Sequence, residues 1–327
     1  MTSHDDLIAF GMETLGISAS VPMDLLPLEG RGSERCYFRL QWHCDHSVIL
    51  VQYDPKRIEN NYYADIAKFL LSIHVPVPRL IRHDPANHLI LMEDLGGSDL
   101  YLLRKCHWGL RGSLYRQTLE VVHRLHSFPQ KEFQSRNINL MESFDAELYR
   151  WERNYFMENF IGLVRGIELE QSFRWELDEE LAGLADRLVQ GPLCLVHRDL
   201  QSQNVMFQHG QVFLIDFQGM RFGNPFYDLG SLLFDPYVCF TPGEREDLLG
   251  YYYRLLPWGL EWAAFQEAFW EASVQRLMQA LGAYGFLGIN KGLKRFLTHV
   301  PAGLHHLKSA AEHTARLRRL RELLNRC

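Results

Sequence analysis

Two aspartates and an asparagine stand at a spacing that suits the movement of a phosphoryl group. In LVHRDLQSQNVMFQHGQVFLIDF, residues 195–217, an apolar lead-in runs into His197-Arg198-Asp199, and Asn204 follows five residues after Asp199. Residues 205–207 and 212–215 are short apolar runs joined by Gln208-His209-Gly210-Gln211, a hairpin composition, and the second run ends in Asp216-Phe217. A carboxylate just past a strand end therefore faces another carboxylate and an amide on a nearby loop. Hard magnesium prefers oxygen ligands, so an amide oxygen and one carboxylate can hold it with sites left over for nucleotide phosphates. The remaining carboxylate can orient and deprotonate a hydroxyl nucleophile. The pattern H-x-D-x-x-x-x-N gains its specificity from the hairpin and the Asp-Phe behind it.

The elements that must position these residues fall into two groups. A helix is expected over 5–15, strands over 25–29 and 35–41 around the glycine-containing turn GRGSE, and a third strand over 48–53. Phe38, Leu40 and Trp42 alternate with Tyr37, Arg39 and Gln41, the period of a half-buried strand. Ile58, Tyr62, Ile66, Phe69 and Ile73 recur at steps of four and three, marking a helix that ends before Val75-Pro76-Val77-Pro78. A strand over 89–93 precedes the turn Asp94-Leu95-Gly96-Gly97. Beyond it the pattern is mostly helical, over 115–127, over 175–188 and through the stripe Trp270, Val274, Leu277, Leu281 and Tyr284. Trp262, Phe265 and Phe269 form a second apolar set, so this late helix should be buried on more than one side.

Composition narrows the class. A chain of 327 residues with 47% hydrophobic and 23% charged residues can build two lobes around a cleft. A formal net charge of -6 gives no broad grip on nucleic acid or anionic membrane, and no apolar run reaches membrane-spanning length. The six cysteines form no C-x-x-C pair, which reads as reduced thiols; with no basic, apolar leader in MTSHDDLIAF, the expectation is a cytoplasmic monomer.

On these residues the chain resembles the aminoglycoside phosphotransferase and choline kinase superfamily, which shares the protein-kinase fold. Within it the likeness is to bacterial anomeric kinases for N-acetylmuramate and N-acetylglucosamine. The matching stretches are GSERCYFRL, LILMEDLG, LVHRDLQSQNVMF, LIDFQGMRFGNPFYDLGSLLFDPYV and, more loosely, VQRLMQALGAYGFL, spread over roughly residues 30 to 300. The resemblance implies an α+β bilobal fold, a small β-rich N-terminal lobe (1–94) and a larger helical lobe (95–327) with the catalytic loop and acceptor site. It implies ATP and Mg2+ as cofactors, Asp199 as catalytic base, and Asn204 and Asp216 as metal ligands. His197 would brace the loop, Asp228 would hold it through hydrogen bonds, and Met92, Glu93, Asp94 and Leu95 would link the lobes where backbone groups meet adenine.

The pattern also departs from that family. Kinases place a phosphate-gripping lysine on the third strand, paired with a helix glutamate, but VILVQY carries Gln52. Lys56 lies beyond the strand and Lys68 on the helix, so Arg39, opposite the apolar strand face, is the expected substitute. Glu59 and Asp65 are both open as its helix partner. Gly32 and Ser33 can present backbone donors to phosphate or simply form a hairpin turn. Gln218 replaces the glycine of an activation segment, and only twelve residues separate Asp216 from Asp228, which favours a small-molecule acceptor over a protein. Acceptor candidates are Arg198, Gln203, Arg221, Tyr227, Asp235, Gln275 and Arg276. The expected substrate is a sugar hydroxyl, with aminoglycosides, choline-like alcohols and a nucleotide-binding pseudokinase as rivals. Arginines beside Asp199 would favour an acidic sugar, acidic residues a cationic one. The basic tail reads as a solvated helix face over an inward stripe of Leu307, Ala310, Thr314, Leu317, Leu320 and Leu324.

Overall fold

Ser3 and Asp6 cap each other reciprocally at the start of α1 (His4–Leu15), and Gly16 ends that helix in the left-handed region, at φ 67°. The computed structural model describes residues 3–28, 35–43, 45–257 and 259–327; Gly32 and Ser33 of the GRGSE turn lie outside the described residues. Strands β1 (Asp24–Leu28), β2 (Cys36–Trp42), β3 (His46–Gln52), β4 (Leu80–Asp84) and β5 (Leu89–Glu93) form one antiparallel sheet in the order β1-β2-β3-β5-β4. Alternation sorts the two faces. Leu40, Val48, Leu50, Leu89 and Leu91 pack with Leu7 of α1, whereas Ile49, Val51, Ile90 and Met92 point into the core shared with the helical lobe.

Helix α2 (Ile58–Ser72) packs under that inner face. Its expected stripe is buried at Ile66 and Phe69 but rotated toward its start: Ile58 is 53% exposed, and the buried side also takes in Asn60, Tyr63, Ala64, Ala67 and Leu70. The reason is Tyr63, whose ring stacks on Phe217 at 4.7 Å and whose hydroxyl donates to Met92 Sδ at 3.0 Å. The helix turns the face that meets the catalytic segment inward. Strand β4, absent from the sequence expectation, pairs with β5 across a register shift between Leu80 and Arg82.

The helical lobe begins with α3 (Trp108–His126) and α4 (Gln130–Gln134), then α5 (Ala146–Phe156), which runs into a π-helical stretch, Met157–Val164. After α6 (Gln171–Gln190) come β6 (Cys194–Val196), the hairpin β7 (Val205–Gln208) and β8 (Gln211–Leu214), and β9 (Arg221–Gly223), which pairs with β6. Helices α7 (Pro225–Leu233), α8 (Pro242–Leu255), α9 (Trp262–Gly285), α10 (Val300–Glu312) and α11 (Arg318–Asn325) complete it. The predominantly helical lobe beside the five-stranded sheet is the expected bilobal α+β arrangement.

Helix α9 is the lobe's centre and is buried on several sides, touching α5, α7 and α10. Its contact with α7 is close: a Cβ on Gly230 would stand 2.8 Å from Ser273 Cα, a distance real Cβ atoms do not show. Arg276 Nε crosses the same contact to Ser231 Oγ at 3.1 Å. The tail stripe is inward as expected, with Leu307, Ala310, Leu317 and Leu320 fully buried, but it spans two helices rather than one. The five described cysteines are free, and no helix among the described residues is long and apolar enough to cross a membrane.

Candidate active site

The catalytic segment leaves β6 and immediately turns. Arg198 takes φ 77° and, further on, Asp216 takes φ 62°, both in the left-handed region that side chains disfavour by about 1 kcal/mol or more. Asp228, fully buried in the first turn of α7, holds the first of these turns. Its Oδ2 accepts from His197 N at 2.6 Å and its Oδ1 from Arg198 N at 2.8 Å. His126 of α3 donates Nε2–H to Asp228 Oδ2 at 3.1 Å and accepts the Tyr252 hydroxyl at 2.6 Å, so a three-residue buried chain fixes the carboxylate. Asn224 caps α7 through the Phe226 amide, and Pro225 sits where its missing N–H costs nothing.

The hairpin holds the second turn. His197 donates Nε2–H to the Ile215 carbonyl at 2.9 Å, which ties the start of the loop to the end of the hairpin. Ile215 N reaches Asn204 O at 3.0 Å, and Leu214 N reaches Pro76 O at 2.9 Å. On the other edge Phe207 N donates to Ser98 O and Leu100 N to Val205 O. Asn204 Nδ2 donates to the Asp199 carbonyl at 2.9 Å, which leaves Asn204 Oδ1 without a hydrogen bond among the described residues. Asp216 Oδ1 takes the Gln218 amide at 2.8 Å and the Arg35 guanidinium. Burial works against the Asp216 charge, but Arg35 and Gln218 outweigh it and keep the carboxyl below the ordinary range. An open amide oxygen and an ionised carboxylate beside it are the donor set a hard divalent cation takes.

Asp199 stands apart from that pair. Its Oδ1 accepts from Gln201 Nε2 at 2.8 Å and from Arg276 Nη2 at 2.7 Å. Its side chain is 30% exposed, against 5% for that of Arg276, so the carboxylate faces the cleft while its partner comes from the core. Arg198 is near enough to act on it electrostatically, and its guanidinium donates no hydrogen bond among the described residues. Burial alone would lower the Arg198 guanidinium; Asp199, Tyr227 and Glu152 raise it instead. Arg221 is also buried, with Nε on the Gly219 carbonyl at 3.1 Å; burial, then Arg198, pull its guanidinium down.

The other acceptor candidates divide differently. Tyr227 and Gln275, both fully buried, clamp the buried Glu152 of α5 at 2.7 and 2.9 Å. Burial raises the Glu152 carboxyl despite those donors. Asp235 accepts from Ser202 N at 2.8 Å and Tyr237 N at 3.0 Å, and burial pushes it up to about 6. These three candidates therefore hold the scaffold and do not face the cleft. Gln203 lies in the 3-10 turn Ser202–Asn204. Glu152 had no sequence signal, being a lone carboxylate on a helix with partners 75 and 123 residues away.

On the sheet side the expectation for Arg39 changes. It does sit on the inner strand face, but its guanidinium is held by Asp94, with Nη2 to Oδ1 at 3.1 Å, and Ser47 donates to the same carboxylate at 2.7 Å. It makes no contact with Asp199, Asn204 or Asp216. Arg35 reaches Asp216 in its place. Met92 is in β5 opposite Ile49, with its side chain in the core. Glu93 exchanges hydrogen bonds with Arg79, and Leu95 is buried at the junction of the lobes.

A family model matches residues 24–267, three-quarters of the chain, with Asp199, Asn204, Asp216 and Asp228 inside it. The chain belongs to the phosphotransferase enzyme family. It is an enzyme that moves a phosphoryl group to a hydroxyl acceptor. An N-acetylmuramate/N-acetylglucosamine kinase of Pseudomonas aeruginosa is 27% identical over 311 residues, 93% of this chain and 88% of the relative. The enzyme of the same name from Pseudomonas putida is 26% identical over 89% of this chain and 85% of its own length. Among solved structures, a choline/ethanolamine kinase family protein from Mesorhizobium loti superposes with a TM-score of 0.64 at 16% identity, covering 97% of this chain and 99% of that one. An ADP-bound aminoglycoside phosphotransferase does so with a TM-score of 0.59 at 16% identity, covering 94% and 98%. The fold expectation from the resemblance is met.

Proposed function

We propose that this phosphotransferase carries the γ-phosphoryl group of ATP to a hydroxyl of an N-acetylated amino sugar, with N-acetylmuramate and N-acetylglucosamine as acceptors. The names of its curated relatives support the sugar class. The observation that favours an acidic sugar is the chemistry around Asp199: Arg276 on the carboxylate, and Arg198 beside it with unoccupied donors. A cationic alcohol or aminoglycoside would meet guanidinium groups there, whereas a sugar carboxylate would be paired.

In this reading Asp199 accepts the acceptor hydroxyl's proton as the oxygen attacks, and Arg276 keeps its carboxylate aimed into the cleft. Asn204 and Asp216 would hold magnesium, which supplies charge neutralisation on the transferring phosphoryl group when bound. The backbone from Met92 to Leu95 would receive the adenine. The protein would act as a cytoplasmic monomer divided near residues 94 and 95.

The test is an ATP-consumption screen over N-acetylmuramate, N-acetylglucosamine, kanamycin and choline, with the phosphate position assigned by phosphorus NMR. Turnover confined to the sugars is expected; preferential turnover of choline or kanamycin overturns the reading. Arg198→Gln should raise KM for N-acetylmuramate about tenfold or more, the worth of a charge-assisted hydrogen bond, and change N-acetylglucosamine far less.

A further inference from the structure

Phosphoryl transfer requires a fixed cation against the nucleotide phosphates, and β3, the strand that usually supplies it, has no lysine: Ile49 and Val51 take its cleft face and Gln52 falls on the α1 face with Val48 and Leu50. The lysines of this lobe do not fill the gap. Lys56 is exposed, and Lys68 is 67% exposed, 3.7 Å from an equally exposed Asp65. Arg39 is engaged by Asp94.

Arg35 is placed differently from all of these. It precedes Cys36 at the start of β2 and lies with Tyr37 on the cleft face, the face of Val51 and Ile49. Its side chain is 9% exposed, lies over the Tyr37 ring at 5.8 Å and forms an ion pair with Asp216. Burial alone would lower the guanidinium; Tyr37, Asp216 and then Glu59 of α2 raise it, so the group stays charged. Glu59 of α2 is 28% exposed and 3.9 Å from Arg57, whereas Asp65 is 67% exposed. A cation and the aspartate proposed for the metal thus meet at one point.

We propose that Arg35 is the phosphate-gripping cation of this enzyme and that it exchanges Asp216 for the nucleotide phosphates when magnesium is bound. The proposal rests on the ATP- and magnesium-dependent reading above. Without nucleotide, Arg35 neutralises the half-buried Asp216 carboxylate. With Asn204 and Asp216 holding a divalent cation, the carboxylate would no longer need the guanidinium, and Arg35 would be available to pair with phosphate. Arginine suits this exchange because its planar fork can pair bidentately with either carboxylate or phosphate.

Direct binding separates this role from a purely structural ion pair. Calorimetry would compare ATP and adenosine on the wild type, Arg35→Ala, Arg35→Lys and Asp216→Asn, each with magnesium and with a chelator. Arg35→Ala should weaken ATP about tenfold or more and leave adenosine unchanged, with Arg35→Lys recovering part of the loss. Asp216→Asn frees the guanidinium, so ATP affinity in chelator should hold or rise in that variant and fall once Arg35→Ala is added. Unchanged or tighter ATP binding by Arg35→Ala overturns the proposal, as does an equal loss for ATP and adenosine. A wild type that binds neither ligand would instead sink the ATP reading itself. Thermal melts of each variant identify any that fail to fold, and the Lys and Asn variants keep the comparison decisive.

Discussion

The two walls of the cleft are built on different logics. The catalytic loop, from His197 to Asp216, is tied at nearly every residue: two backbone amides on Asp228, the His197 ring on Ile215, Asn204 on the Asp199 carbonyl. Opposite it, the sheet offers a short strand end and one arginine that reaches across to Asp216. The loop must keep two residues in left-handed backbone geometry, which only a surrounding network sustains. The sheet has only to deliver positive charge to a point, and a long side chain can do that from more than one strand position. Geometry constrains sequence tightly; charge delivery constrains it loosely.

Three substitutions measure that difference. Asp199→Ala should have the largest effect, lowering kcat by about a thousandfold or more while nucleotide affinity measured by calorimetry moves little. Appreciable residual turnover would mean that the loop is scaffold and not machinery. Asp228→Asn comes next. It removes the charge that holds the two amides and His126 in a fully buried site, so chemical denaturation should show a loss of roughly 2–4 kcal/mol, accompanied by a lower kcat. Arg39→Ala should be the mildest, costing about 1 kcal/mol or less because its pair is partly exposed, with little change in KM for ATP. If Arg39→Ala impaired ATP binding more than Arg35→Ala, the assignment of the two arginines would be reversed.

The same division governs what could be read from the sequence. Asp199, Asn204, Asp216 and Asp228 are legible because a tight loop, a four-residue-strand hairpin and a helix start fix their spacing locally. Tyr227 and Asp235 looked like acceptor ligands for the same reason, being near in sequence, yet folding turned them into the core, as it did Gln275 of the late helix. Arg276 is the converse: its partner lies 77 residues away, so no spacing could reveal that it sits on Asp199. Arg35 was hidden by its pattern, since an arginine at a strand start is usually solvated; the one hint was that β3 has no lysine. Among the elements, β4 escaped notice because LIRHD shows no clean alternation, and β9 because three residues acquire strand character only by meeting β6. The rotated face of α2 follows from a stacking contact with Phe217 that the helix's own period does not encode.

The near-touching of Gly230 and Ser273 has a mechanical consequence. Helix α7 carries the aspartate that holds the His197–Arg198 turn, and α9 carries the arginine paired with Asp199. The two therefore share one datum surface, and the clearance at Gly230 is less than a methyl group. An alanine there would act as a shim, pushing the loop's mount and the guide of Asp199 apart together. Alignment of Asp199 is thus a machining tolerance set by a glycine packed between two helices.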